Sequence, residues 1–522
     1  MVAVLVEDIK KFPKLKLPKY WEFLSILKHL LPQDAVSCGK PKRVFMETTR
    51  SSPSPYYLAL VCGVAALGGF LFGFDTAVIS GVVGFVKNEF SMSAAMEGWF
   101  VSSALLGCIL GVAMAGKLSD SFGRKKVMLL SAVLFTVSAA GCMIARDDTV
   151  LIIYRLVGGI GVGIASMVSP LYISEFAPAR MRGKLVALYQ LAITLGILCA
   201  YFSNAWLLEV SAGSASTAGP DAAGSGSFLN WVVWEHVWRG MLGIEVLPAV
   251  VFLICLFLVP ESPRWLVLKG REAEAAVLLS RINGAEKASA ELDAIRNSFR
   301  DEKGRLSELL SPPYRLALLI GLLLPFFSQV SGINAIIYYG PRILEEAGFT
   351  LGDALGGQVT IGIVNAVFTT AAVFTVDRWG RKPLLLLGVS CAVLSLIAIG
   401  ILFSMKITQG PWILLLILFY IAGFAFSFGP VCWIVIGEIY PTAIRGRAMS
   451  LATLALWTGT FLVGQMTPVL LDGIGPSGTF WLFAILCSPT LWLTWKLIPE
   501  TKGKSLEAIE QYWKTRSASG RG

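Results

Sequence analysis

SDSFGRKK, residues 119–126, returns 257 positions later as VDRWGRKP, residues 376–383. The match aligns Asp120 with Asp377 and Arg124 with Arg381. A second pair, EFAPARMRGK (175–184) and EIYPTAIRGR (438–447), recurs at an offset of 263 and aligns Glu175 with Glu438 and Arg182 with Arg445. PESPR (260–264) is echoed by PETKG (499–503). Charged motifs recurring in one order mark the chain as two related halves in tandem.

The segments between these motifs are apolar. The 522-residue chain is 55% hydrophobic and only 15% charged, with a mean hydropathy of +0.69. Soluble domains run near a quarter charged, so this is an integral membrane protein. Runs long enough to cross a bilayer, about 20 residues each, fall near 56–83, 97–116, 127–145, 151–174, 185–208 and 240–260, then near 314–340, 358–376, 384–404, 412–437, 448–471 and 478–498. The expected fold is all-α, with twelve transmembrane helices in two pseudo-symmetric six-helix bundles, 56–260 and 312–498. Parallel repeats with a site between them are a transporter arrangement. A cytoplasmic helical linker, 261–311, separates the bundles and holds nine basic and nine acidic residues. Within it REAEAAVLLSRI (271–282) reads as amphipathic helix.

Lys and Arg set the orientation. Loops 117–126, 175–184, 377–382 and 438–447 hold twelve of them, and the alternate loops hold four: Lys87, Arg146, Arg342 and Lys406. The positive-inside rule then places both termini and the linker in the cytoplasm. The same clustering in short loops explains the net charge of +10 without nucleic acid. Residues 1–50 show no apolar core before a small-residue cleavage site, so no signal peptide is expected in the cytoplasmic extension 1–55. They read as a disordered extension with a start at Met46, or, over YWEFLSILKHLL (20–31), as an amphipathic interfacial helix. The loop EVSAGSASTAGPDAAGSGS (209–227) reads as a flexible connector, and 499–522 as a cytoplasmic tail. The cysteines show no CxxC spacing, and seven of the nine lie in apolar runs as small hydrophobes. With two histidines, His29 and His236, there is little material for zinc or His-based catalysis, and neither metal nor cofactor is expected.

Nine motifs carry a family resemblance: GFDTAVISG, DSFGRKK, RLVGGIGVGIAS, PLYISEFAPARMRGK, PESPRWL, SGINAIIYY, DRWGRK, GPVCWIVIGEIYPTAIRGRA and PETKG. The chain from about 56 to 515 resembles the sugar porter family of the major facilitator superfamily, bacterial proton-coupled sugar symporters in particular. The resemblance implies symport of a monosaccharide or related polyol with a proton, by alternating access, in a monomer embedded in the cell membrane. A facilitative uniporter and a non-transporting sugar sensor remain as alternatives. No nucleophile–base–orienter set suggests an enzyme.

The charged repeats, Asp120, Arg124, Glu175, Arg182, Asp377, Arg381, Glu438 and Arg445, lie at cytoplasmic helix ends. Opposite charges on neighbouring helices can pair there when the inner mouth is shut and part when it opens. Plain positive-inside topology is the competing reading. For the substrate, Gln190 on the fifth span is a hydroxyl partner, since an amide both donates and accepts. On the seventh span Gln329, Asn334 and Tyr338 are spaced five and four apart, roughly one helix face. The resemblance adds Trp433, after Gly429 and Pro430, as a stacking surface for the sugar, with Phe72 and Trp457 lining the cavity. Interhelical glue is the alternative role for such residues. Two positions depart from the family. Ser328 stands where a first glutamine is usual, and Leu456 where Asn or Gln is common.

One ionisable residue interrupts GGFLFGFDTAVISG (68–81): Asp75. Arg155 on the fourth span is its natural partner, and Glu245 on the sixth is the remaining buried charge of the first half. The pair is either a permanent structural bridge or a switch in which Asp75 alternates between Arg155 and the coupling proton, with Glu245 as an accessory charge.

Overall fold

The computed structural model describes residues 55–178, 181–217, 228–301, 306–408, 410–504 and 506–518, without the side chains of some residues in these ranges, Arg182 and Asp377 among them. The extension expected over 1–55, including the segment 20–31 and Met46, lies outside the described residues apart from Pro55.

The apolar runs fold as helices that overshoot them at both ends. The first half comprises α1 (Pro55–Glu89), α2 (Ala94–Phe122), α3 (Arg124–Ile144), α4 (Asp148–Phe176), α5 (Arg182–Thr217), α6 (Val237–Gly243) and α7 (Val246–Leu258). The linker forms α8 (Pro263–Leu268), α9 (Glu272–Asn283) and α10 (Ala285–Asp301). The second half comprises α11 (Arg315–Val330), α12 (Ile333–Glu346), α13 (Leu351–Trp379), α14 (Arg381–Ser404), α15 (Trp412–Gly423), α16 (Gly429–Glu438) and α17 (Thr442–Cys487), and a last helix α18 covers Leu506–Ala518. Ser93, Asp147 and Thr350 cap α2, α4 and α13, each side chain accepting an amide hydrogen bond from three residues on.

Among the described residues eleven helices are long and apolar enough to cross a membrane, and the last, Ile444–Leu497, is 54 residues long. A straight helix of that length would be about 80 Å, far beyond a hydrocarbon core of about 30 Å. Gly475 breaks it with φ 72° and ψ 172°, which only glycine adopts freely. The run therefore supplies two spans, and the chain crosses twelve times.

Among the described residues other spans are also interrupted along their length. The sixth parts at Ile244–Glu245, between α6 and α7. The seventh parts at Ser331–Gly332, where Gly332 is left-handed at φ 91°. The tenth widens to a π-helical turn over Phe424–Phe428, between α15 and α16. The expected connector 209–227 is helical as far as Thr217. Its Ala and Ser residues extend α5 because no proline intervenes before Pro220, and 218–227 lie outside the described residues. The expected tail likewise holds α18, whose Trp513 is buried and donates from Nε1 to the Ile439 carbonyl at 2.9 Å.

Helices α2 and α4 pack closely, as do α1 and α5. The halves meet where α2 lies against α17, α5 against α13 and α1 against α12. Without a hydrophobic drive between helices in lipid, such contacts depend on small residues that let backbones approach. A Cβ at Gly159 of α4 would run into the Ala104 carbonyl of α2, whereas one at Gly84 would meet nothing within 4 Å. Gly159→Ala should therefore destabilise the detergent-purified protein by about 1–3 kcal/mol, typical of overpacking, and lower its melting temperature. Gly84→Ala should leave it near wild type. Equal melting temperatures for the two variants would show that this approach is not what holds α2 to α4.

Candidate functional site

The first cluster lies in the first half. Asp75, Arg155 and Glu245 are all buried, from α1, α4 and the break between α6 and α7. Arg155 Nη1 donates to Asp75 Oδ1 at 2.8 Å. Glu245 brings its carboxyl within hydrogen-bond reach of Asp75. Two atoms are left buried without a hydrogen-bond partner, Arg155 Nε and Glu245 Oε1. One guanidinium thus faces two carboxyls in a place where unpaired charge is costly. A cavity of about 10 Å³ opens beside the pair, lined by Asp75, Thr76, Cys108 and Arg155 and by Tyr338. That volume holds one water. Tyr338 comes from the second half, so both halves enclose the Asp75 carboxyl.

The second cluster is uncharged and belongs to the second half. Gln329 and Asn334 meet, Asn334 Nδ2 donating to Gln329 Oε1 at 2.6 Å. They do so across the Gly332 break, on α11 and α12, rather than on the continuous helix face that their spacing suggests. Tyr338 does not join them; it points to the Asp75 cavity. Thr460 completes the group, its hydroxyl donating to Gln329 Oε1 at 3.2 Å, and Gln329 Nε2 donates to Ser328 Oγ at 3.0 Å. Ser328 thus acts as the amide's partner. Thr460 escaped the sequence reading because a lone threonine in an apolar span carries no signal of its own. Phe72 and Trp457 touch across the two halves with ring centroids 5.5 Å apart and planes tilted by 42°. Gln190 on α5 and Trp433 on α16 are partly buried.

The third feature is duplicated at the helix ends that carry the repeats. Arg124 bonds Glu175 at 3.0 Å and Asp120 at 3.1 Å, and Arg381 bonds Glu438 at 2.9 Å. Each pair joins helices of one half. Arg445 directs its guanidinium to the Tyr440 carbonyl at 3.5 Å. The side chains of Arg182 and Asp377 lie outside the described residues. Two further residues complete the arrangement. Glu261 Oε1 accepts the Arg124 and Lys125 amides at 2.8 and 3.2 Å, and Glu500 accepts those of Arg381 and Lys382 at 3.1 and 3.0 Å. Each carboxylate thereby caps the N-terminus of a span, α3 or α14, where the helix dipole favours negative charge. Their neighbours Ser262 and Thr501 both donate to the paired glutamate, each at 2.5 Å. The repeat of PESPR in PETKG was the signal for these residues.

The family model described as sugar (and other) transporter matches residues 61–513. The arabinose-proton symporter of Bacillus subtilis (strain 168) is 42% identical over 466 residues, spanning 89% of this chain and 97% of that one. The D-xylose-proton symporter of Escherichia coli (strain K12) is 38% identical over 491 residues, spanning 88% and 96%. Among solved structures, the inward open conformation of the E. coli xylose transporter matches with a TM-score of 0.73 at 35% identity, covering 88% of this chain and 100% of that one. The proton:xylose symporter bound to 6-bromo-6-deoxy-D-glucose gives 0.71 at 36% identity, covering 88% and 99%. The chain belongs to the sugar transporter family and has the major facilitator fold, a multi-pass membrane transporter architecture.

The caps generate a prediction. Burial alone would push the Glu500 carboxyl up, but the amides of Lys502, Arg381, Lys382 and Thr501 hold it below the usual range. A carboxyl depressed on folding stabilises fully above its unfolded pKa, and that gain is lost as pH falls through the folded value. Glu500→Gln should destabilise the protein at neutral pH by about 1 kcal/mol, the worth of a helix cap discounted for the solvent that screens this partly exposed carboxyl. The deficit should shrink in acid. Thermal melts of wild type and variant at neutral and acidic pH check it, and a deficit that grows on acidification would contradict the capping role.

Proposed function

We propose that the protein is a proton-coupled symporter that carries a monosaccharide or related polyol into the cell by alternating access. It works as a monomer in the cell membrane, with both termini and the linker in the cytoplasm. The bundles are 56–260 and 312–498, and helices α8 to α10 latch them at the inner face. The observation that carries this reading is the buried trio of Asp75, Arg155 and Glu245 under a tyrosine from the opposite half. The naming of the B. subtilis and E. coli relatives as proton symporters supports it.

The sugar is held by Gln329 and Asn334, whose amides exchange their mutual bond for bonds to hydroxyls. Trp433, Phe72 and Trp457 offer apolar faces to the ring's C–H groups, and Gln190 reaches from the first half. Ser328 and Leu456 remove two amide groups that relatives of this family commonly place there. Each neutral bond is worth on the order of 1 kcal/mol, so the hydroxyl pattern recognised differs from that of members with both amides. For the proton, one guanidinium neutralises one carboxylate, so an electrically neutral trio carries one proton. Asp75 exchanges Arg155 for that proton as the halves rock. Arg124, Glu175, Arg381 and Glu438, with Asp120, Arg182, Asp377 and Arg445, set the balance between inner-open and inner-closed states.

Asp75→Asn removes the titratable group and keeps its shape. In energised vesicles it should abolish sugar accumulation, while the purified variant still binds sugar and exchange across the membrane persists. Accumulation as strong as in wild type would sink the proton site. A permanent bridge predicts instead that Arg155, left unpaired, destabilises the fold by roughly 3–5 kcal/mol. Sugar-induced proton uptake by the wild type separates symport from facilitated diffusion, which lacks it. Trp433→Ala and Gln329→Ala should each weaken sugar affinity in a folded protein, and near-normal uptake at low sugar in both would misplace the binding site. Glu438→Ala should lower turnover more than affinity; unchanged rates would reduce that glutamate to a static partner of Arg381.

A further inference from the structure

Two of the four basic residues that break the charge bias of the outer loops, Lys87 and Arg342, converge on one carboxylate. Glu97, in the first turn of α2, is 1% exposed. Arg342 Nη1 donates to both of its oxygens at 2.8 and 2.9 Å, and Lys87 Nζ lies 2.8 Å from Oε2. Lys87 and Glu97 belong to the first half and Arg342 to the second, so the bond crosses between the halves. It lies at the end of the bundle opposite the duplicated charge motifs.

Its position along both helices gives it a role. Val101, one turn below Glu97 on α2, and Tyr338, one turn below Arg342 on α12, both line the cavity beside Asp75 and Arg155. Residues four apart stack on one helix face. The ion pair therefore roofs that cavity. Just beneath it the halves are joined again. Pro341 has no amide to give the Ile337 carbonyl, and this carbonyl accepts instead from Tyr201 of α5 and Gln358 of α13, both at 3.3 Å. Gln465 adds a third tie, accepting from Ser102 at 2.7 Å and donating to the Ala95 carbonyl at 3.0 Å.

The pair is built to open. A buried charge that loses its sole partner is heavily penalised, but neither charge here would be orphaned. Glu97 keeps Lys87 on its own half. Arg342 keeps Glu346 at 3.4 Å and Asp472 on its own half. The geometry points to Glu97–Arg342 as the outer latch of the transport cycle, whose parting admits water from outside to the Asp75 cavity. The inference rests on the alternating-access reading above, but concerns access alone.

Cys108 lines the same cavity and is buried, so its thiol reports that access directly. A membrane-impermeant, charged methanethiosulfonate is added outside right-side-out vesicles, and labelling of Cys108 is measured against a Cys108→Ala background. In wild type it should be slow. Glu97→Gln and Arg342→Gln should each raise it roughly tenfold, a usual size for a conformational coupling, and Arg342→Lys should restore much of the wild-type rate. Should Glu97→Gln fail to fold, Arg342→Gln answers alone, since Glu97 then retains Lys87. Unchanged outside labelling in the folded variants, or a rise only with reagent on the side of the duplicated motifs, would overturn the latch. Sugar identity and proton coupling do not enter this readout, so a failure of the symport reading shows up separately, in the accumulation assay.

Discussion

Hydrocarbon offers a charge nothing but other protein groups, and the bond between Asp75 and Arg155 is the main local consequence of that constraint. To bring these side chains to 2.8 Å, α1 and α4 must be neighbours, and α4 must sit close enough to α2 for the pair to be sealed. The glycine at 159 serves that approach, since any side chain there would displace Ala104. The same constraint governs backbone groups. Irregular backbone inside a membrane survives only where protein or a cavity satisfies it, and the breaks at Ile244–Glu245 and Ser331–Gly332 both lie beside the polar clusters. The break at Glu245 supplies the second carboxyl, and the one at Gly332 lies between Gln329 and Asn334.

The two ends of the molecule solve the pairing problem differently. At the duplicated motifs, Arg124 with Glu175 and Arg381 with Glu438 close within each half, and Glu261 and Glu500 anchor the adjoining helix starts. Those clusters make each half rigid at that end. At the opposite end the details run between halves, through Arg342 with Glu97 and Gln465 with Ser102. Rigid halves suit a rocking motion, in which each half turns as a body and the charged clusters at its inner end bias the state in which it rests.

The sequence revealed much of this, and its failures share a cause. Twelve spans, two halves and the pairing of Asp75 with Arg155 follow from composition, repeats and the scarcity of buried charge. The cap residues Glu261 and Glu500 were half visible, as a repeat without a role. Glu97 and Arg342 were not visible as a pair, because 245 positions separate them and each alone looks like an ordinary loop charge. The spacing of Gln329, Asn334 and Tyr338 misled because it assumed an unbroken helix, although the glycine at 332 was in plain view. In α18, Trp513 binds a carbonyl 74 positions away, a partner that no local pattern encodes.

Helix α12 draws these strands together. Asn334, Tyr338 and Arg342 are spaced by four, so they stack along one face about 6 Å apart. Asn334 bonds the amide of the uncharged cluster, Tyr338 walls the Asp75 cavity, and Arg342 holds Glu97. All three sit beyond Gly332, whose left-handed backbone separates α12 from α11. In the proposed cycle, sugar that claims the Asn334 amide loosens its bond to Gln329 at the base of α12. A tilt of α12 about Gly332 would move Tyr338 and Arg342 together, because both lie on the helix beyond it. Proton access and sugar binding would be coupled without any contact between the two ligands, by a helix with one contact for each and a third for the latch.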